Sequence, residues 1–190
     1  MRSPPVHIIA GRWKRRRLEA PRGARPTSGK AREALFSILG ERIAGANVLD
    51  LFAGSGAVGL EALSRGARGV VLVETDSEPL ARAIERLAPE PGEARLLARD
   101  AASALASLEA EGARFDLVFA DPPYAVPFED PLSRRILPLL APGGLFVLQR
   151  DSDEKVPAPE GLALLSRRGY GRNTFLFFEA AAFDPGSPRC

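Results

Sequence analysis

Val48-Leu49-Asp50-Leu51-Phe52-Ala53-Gly54-Ser55-Gly56-Ala57-Val58-Gly59 is the stretch that decides the fold. A run of strand character passes directly into G-x-G-x-x-G, and a helical pattern opens over residues 57–65. Glycines at a strand-to-helix junction let the backbone come close to a ligand, which is how the first crossover of an open α/β sheet is used.

Outward from that junction, apolar strand-like runs at 70–74, 95–98, 117–120 and 144–148 alternate with helical stretches over 77–87, 101–109 and 131–140. Strands apolar on both faces and separated by helices predict a parallel sheet covered on both sides, a doubly wound α/β architecture. Residues 162–166 and 174–178, joined through Gly169-Tyr170-Gly171, predict two further strands that complete a seven-stranded sheet, the last of them antiparallel. Upstream, 6–11 has strand character, 12–18 is strongly basic and 21–26 is loop-like. From Thr27 or Ser28, either of which suits an N-cap, a helix is expected with Ala31, Ala34, Leu35, Ile38 and Leu39 on one face. The division expected is a basic N-terminal arm or strand pair over 1–27, one α/β domain over 28–179 and a loose tail over 180–190.

The 190 residues suffice for a single core. No apolar run approaches the roughly 18 residues that a bilayer span needs, and the basic N-terminus lacks the apolar centre of a secretory signal, so a cytoplasmic protein without a membrane partner is expected. The single cysteine, Cys190, has no partner in the chain, and no Cys/His group has ligand spacing, so neither a disulfide nor a metal is expected. The formal net charge of +2 conceals a division: ten Lys/Arg oppose one acid, Glu19, in residues 1–32, while the remainder is acidic. The basic end is a candidate contact for a polyanion.

Chemistry is carried by acids at strand ends. Asp50 lies four residues before Gly54. There it would repel a dinucleotide's pyrophosphate but attract the α-ammonium group of a sulfonium amino acid, which favours S-adenosylmethionine over a nicotinamide cofactor. Phe52, Ala53, Gly54, Ser55 and Gly56 form the expected loop around it. Glu74, followed by Thr75, ends the next run where an acid accepts ribose hydroxyls. Asp100, followed by Ala101, is placed to reach an adenine amino group, with helix capping as its other reading.

Asp121-Pro122-Pro123-Tyr124 closes the apolar run 116–120. An exocyclic base amine is a poor nucleophile because its lone pair is delocalised into the ring. It reacts when its hydrogens are drawn to fixed acceptors and its nitrogen is held in line with the electrophile. The Asp121 carboxylate and the Pro122 carbonyl are the natural acceptors, Pro123 stiffens the turn, and Tyr124 can stack on the base. The plain alternative is a turn and nothing more.

These residues resemble the bacterial methyltransferases of the RsmD type, which modify a guanine N2 of small-subunit (16S) ribosomal RNA. The likeness runs through Ile8-Ile9-Ala10-Gly11-Arg12-Trp13-Lys14, Arg25-Pro26-Thr27-Ser28, Arg32-Glu33-Ala34-Leu35-Phe36, residues 48–56, residues 59–67 and the Asp-Pro-Pro-Tyr turn. The resemblance implies the Rossmann-like methyltransferase fold, S-adenosylmethionine as donor and the small ribosomal subunit as partner, with Thr27 and Arg32 closing over the cofactor. Arg12, Trp13, Lys14, Arg15, Arg16, Arg17 and Arg25 would then touch RNA, the cations through phosphates and Trp13 through an unpaired base, unless Trp13 simply packs on its own strands. His7 is read as structural. Two departures are expected to lie outside the site: residues 81–87 hold no asparagine, and Gln149-Arg150 stands where relatives tend to have Glu. A monomer is expected. The alternatives kept open are transfer to adenine N6, cytosine N4 or a protein glutamine, a nicotinamide-dependent oxidoreductase, and an RNA-binding module without activity.

Overall fold

The computed structural model describes residues 6–19, 27–123, 132–151 and 157–181. Arg25, Tyr124 and most of the expected tail lie outside the described residues. The chain begins with a short antiparallel pair, β1 (Val6–His7) and β2 (Arg17–Leu18). Helix α1 (Gly29–Leu39) follows, capped by the Ser28 hydroxyl, which accepts from the Ala31 N–H at 3.2 Å. Strands β3 (Asn47–Leu51), β4 (Gly69–Val73), β5 (Ala94–Leu97) and β6 (Phe115–Ala120) then alternate with α2 (Gly59–Ser64), α3 (Glu78–Leu87) and α4 (Ala101–Ala110). Finally β7 (Leu140–Asp151) leads to β8 (Leu162–Tyr170) and β9 (Asn173–Ala180).

The seven strands from β3 onward form one sheet in the order β5-β4-β3-β6-β7-β9-β8. Strands β5, β4, β3, β6 and β7 are mutually parallel, and β9 runs antiparallel between β7 and β8. Burial on both faces explains the unbroken apolar runs. Leu35, Phe36, Leu60, Leu63 and Leu80 fill one face, and Leu105, Leu108, Phe146 and Phe178 fill the other. The chain winds outward from β3 through β4 to β5 and then returns to β6 on β3's other side. That reversal leaves a crevice beyond the carboxyl ends of β3 and β6, the place where open α/β sheets hold ligands.

One expected element is corrected. Instead of a helix over 131–140, the described part holds two 3-10 turns, Ser133–Arg135 and Leu137–Leu139, before β7 starts at Leu140. Pro138 has no N–H to give and disfavours helical backbone at Leu137, so apolar spacing alone could not sustain an α-helix there.

The N-terminal pair is docked on the domain. Val6, Ile8 and Leu18 are buried in the same core as α1 and α2. The Glu61 carboxylate, fully buried, accepts the Ile9 and Ala10 N–H groups at 2.6 and 3.0 Å and the Arg65 Nε–H at 2.7 Å. Ser64 accepts the Trp13 N–H at 3.0 Å and donates to the Ala10 carbonyl at 2.6 Å. Gly11 has φ +80°, and a Cβ there would stand 1.7 Å from the Ser64 carbonyl oxygen. Only glycine permits that approach.

Candidate active site

Three acids gather in the crevice. Asp50, 1% exposed, accepts the Gly59 N–H at 2.7 Å, and a Cβ on Gly59 would come within 3.0 Å of the same oxygen. The last glycine of the motif therefore brings the first turn of α2 onto the carboxylate. Glu74 ties down the loop: one oxygen accepts the Gly54 N–H at 2.7 Å, and the other accepts the Asp76 N–H at 3.0 Å and the Thr75 hydroxyl at 3.3 Å. Phe52 and Gly54 both adopt positive φ, +59° and +56°, so the loop turns sharply as it leaves β3. Ala53 and Ser55 are buried beneath it, and space is open where a Gly54 side chain would stand.

Asp121 lies one strand away. Asp50 is paired in register with Phe119 and Leu51 with Ala120, so Asp50 and Asp121 project from the same face at the same end of the sheet. One oxygen of Asp121 accepts the Gln149 Nε2–H at 3.0 Å and lies 3.4 Å from the Thr27 hydroxyl, which makes its shorter bond, 3.0 Å, to Gln149 Oε1. The second Gln149 amide hydrogen is directed to Asn173 Oδ1 at 3.4 Å. Thr27, Gln149 and Asp121 thus form a closed triangle that holds one carboxylate oxygen. Pro122 is buried and Pro123 exposed beside it.

Burial pushes Asp50 up to about 7, with the negative charges of Asp121 and Glu74 adding to the effect and the Gly59 N–H opposing it. Burial likewise raises Asp121 to about 7, against the lowering influence of the Thr27 hydroxyl and the Arg150 charge. A cluster of this kind suits a cationic ligand, whose charge would relieve the cost of ionising both groups.

The remaining sequence candidates are more dispersed. Asp100 is the N-cap of α4: its two oxygens accept the Ser103 N–H at 2.9 Å and the Ser103 hydroxyl at 2.7 Å, which lowers its pKa, while the adjoining Ala101 is buried. Arg32 is buried, donates from Nη2 to the His7 carbonyl and has Glu61 and Arg65 as charged neighbours, so its contacts tie α1 to the N-terminal pair instead of to the glycine loop. The His7 side chain itself is exposed. Arg12 pairs with Glu93 at 2.5 Å and lies 4.2 Å from the centroid of the partly buried Trp13. The Arg17 carbonyl accepts from Arg86 at 2.7 Å, and Lys14, Arg15 and Arg16 are exposed. Glu93 precedes β5, and Arg86 is in the last turn of α3. The basic loop therefore sits at the end of the sheet opposite Asp121.

Two residues of consequence were missed in the sequence. Gln149 was expected to lie outside the site, whereas it grips Asp121 directly. Its signal was available, since it is the first polar residue after the run Leu145–Leu148, the same strand-end position that singled out Asp50 and Asp121. Glu61 had no such signal, because its partners are 51 and 52 residues away.

The family model described as "Conserved hypothetical protein 95" matches residues 6–179. Ribosomal RNA small subunit methyltransferase D of Escherichia coli (strain K12) is 44% identical over 125 residues, covering 64% of this chain and 62% of that protein. The chain's match thus spans less than two thirds of the length of that relative. The protein of the same name from Haemophilus influenzae is 31% identical over 185 residues, covering 92% of this chain and 93% of its own. A solved chain from Thermus thermophilus, described as a hypothetical protein, is 37% identical with a TM-score of 0.78, covering 90% of this chain and 98% of that one.

Proposed function

The chain belongs to the family described as conserved hypothetical protein 95, and from that premise we propose that it transfers a methyl group from S-adenosylmethionine to the exocyclic N2 of a guanine in small-subunit ribosomal RNA. Its mixed seven-stranded sheet with a small N-terminal strand pair is the Rossmann-like methyltransferase fold.

The single observation that carries the reading is the placement of Asp50 and Asp121 on adjacent strands, one face and one end of the sheet. The buried acids fit a donor that carries an α-ammonium and a sulfonium charge. Asp50 would take the ammonium, Glu74 the ribose hydroxyls, the 52–56 loop the body of the donor, and Asp100 with Ala101 the adenine. S-adenosylmethionine, when bound, supplies a methyl carbon on a sulfonium sulfur, which a nucleophile in line can displace.

Asp121 does the other half. Its oxygen held by Gln149 and Thr27 fixes the carboxylate, and the remaining oxygen, with the Pro122 carbonyl, accepts hydrogen bonds from the base amine. This draws the nitrogen lone pair out of the ring and towards the methyl carbon. The new bond is N–C and the broken bond S–C, and the amine, cationic after transfer, releases its proton to Asp121 or to water. Thr75 and Tyr124 belong to the same proposal, the first beside the ribose and the second stacked on the base. The basic residues at the far end, with Arg25, would hold phosphates of a folded RNA.

Purified protein incubated with methyl-labelled donor and small subunits lacking the modification, followed by nucleoside analysis, tests the substrate. Label in N2-methylguanosine is expected, and label only in N6-methyladenosine, N4-methylcytidine or protein rejects the substrate assignment. The Asp121→Ala variant should lose transfer by about 100-fold or more, a far larger loss than any change in donor affinity, because its hydrogen bonds go to the amine while its charge only adds to the attraction of Asp50 for the donor. A fully active variant removes Asp121 from the mechanism.

A further inference from the structure

The basic loop at 12–17 is at the wrong end of the sheet to touch nucleotides next to a base held at Asp121, yet a strand of RNA entering that crevice has to be held nearby. The end of the β8–β9 hairpin is at the right one. Strand β8 runs parallel to β7, so its carboxyl end and the turn Tyr170-Gly171-Arg172-Asn173 lie at the same edge of the sheet as Asp121.

The register makes the relation specific. Ala120 is paired with Leu148, which puts Asp121 beside Gln149; Gln149 is paired with Phe175, and Phe175 with Arg168. Residues directly across from one another share a face, so Asp121, Gln149, Phe175 and Arg168 make one row across four strands. Three strand spacings of about 4.8 Å place the Arg168 backbone roughly 14 Å from Asp121, and the arginine side chain shortens the gap. Tyr170, two residues on and on the same face, is half-buried with its ring 6.0 Å from that of Phe175. Arg168 and Arg172 are exposed, and Arg167 is exposed on the other face. Asp151, paired with Asn173, stands beside the turn as an acid.

We propose that Arg168, Tyr170 and Arg172 form a single-stranded RNA platform continuous with the Asp121 site, holding the few nucleotides that flank the target guanine. The arginines take phosphates and the partly exposed tyrosine face takes a neighbouring base, the combination by which single strands are held without base-specific readout. The inference rests on the reading of the chain as an RNA methyltransferase, and adds to it the path of the strand.

The test uses the full chain, with Arg168→Ala/Arg172→Ala and Arg168→Lys/Arg172→Lys double variants. A fluorescein-labelled, guanine-containing single-stranded oligoribonucleotide is titrated at several salt concentrations, methyl transfer to unmodified subunits is measured alongside, and donor affinity reports that the crevice is intact. The alanine pair should weaken oligonucleotide binding at least tenfold and reduce the salt slope by about 1.4, at about 0.7 per lost single-strand phosphate contact, whereas the lysine pair keeps the slope. The KM for subunits should rise with kcat and donor affinity little changed. If the unsubstituted protein binds and methylates RNA while the alanine pair leaves slope and KM as they were, the platform is overturned and the function stands. If the unsubstituted protein neither binds nor methylates any RNA, the function falls and the platform with it.

Discussion

Asp50→Asn should make the ligand-free protein more stable and the donor site useless. In the folded chain the Asp50 carboxyl titrates at about 7, against about 3.9 in an unfolded chain. A raised folded pKa means that the folded state binds more protons between those values, so the ionised carboxylate costs stability, increasingly as pH rises from 4 to 7 and fully above 7. Three units correspond to about 4 kcal/mol at pH 8, of which about 3 kcal/mol is relieved on going down to pH 5. Asparagine keeps an oxygen for the Gly59 N–H and carries no charge. Urea denaturation of both proteins at pH 5 and pH 8 should show the variant ahead at pH 8, with the gap closing by about 3 kcal/mol at pH 5. Asp121 retains its own share of the pH dependence in both. Calorimetry with S-adenosylmethionine at pH 7 should show the native protein releasing about half a proton from Asp50 on binding, and the variant binding at least 30-fold more weakly, about 2 kcal/mol. A variant less stable than the native protein at pH 8, or one with undiminished donor affinity, would refute the assignment of Asp50.

Gln149→Leu removes a donor to the charged form of Asp121, so the acid limb of the pH–rate profile should move up by about one unit, with activity recovered near pH 9; a loss that persists at every pH would leave Gln149 no role through the ionisation of Asp121. Gly11→Ala forces a methyl group into the Ser64 carbonyl and should cost more than about 3 kcal/mol in denaturant unfolding by undocking the N-terminal pair; a cost under about 1 kcal/mol would show that the pair is not held through this contact.

Much of the candidate site was legible because its residues occupy positions that local pattern reveals. Asp50 is the penultimate residue of β3, Glu74 and Asp121 directly follow β4 and β6, and Asp100 lies just beyond β5; a polar side chain at that point of a parallel sheet emerges at the ligand-binding edge. The order of strands and helices followed from the alternation of buried runs with helical spacing, while β7 starts at Leu140 and not at 144 and β8 continues to Tyr170 and not only to 166. What escaped depends on distant partners or on backbone chemistry that apolar spacing ignores. Glu61 carried no reading of its own, yet the N–H groups of Ile9 and Ala10, just beyond β1, make it a buried anchor. Arg32, which the resemblance implies closes over the cofactor, donates to the His7 carbonyl beside Glu61 and Arg65, contacts that no local pattern announces. Pro138 overrode the helical spacing of the residues around it.

The separation of the basic loop from the acid site constrains the substrate more than the net charge does. Strand β3 alone, five residues long, is about 17 Å from end to end. The Arg12–Glu93 pair lies beyond one end of the sheet and Asp121 beyond the other, so one RNA touching both must extend at least that far across the α2 side. An isolated flexible strand would bear the entropy of spanning that distance with nothing between the two contacts, whereas an RNA already folded into a rigid surface presents its phosphates and its target base at a set separation without that cost. Under the proposed function, a basic loop at one end of the sheet and an amine-holding acid at the other therefore favour assembled or partly assembled subunits over free single strands, by preorganisation in the substrate, with the strand-end acids left to act on a single base.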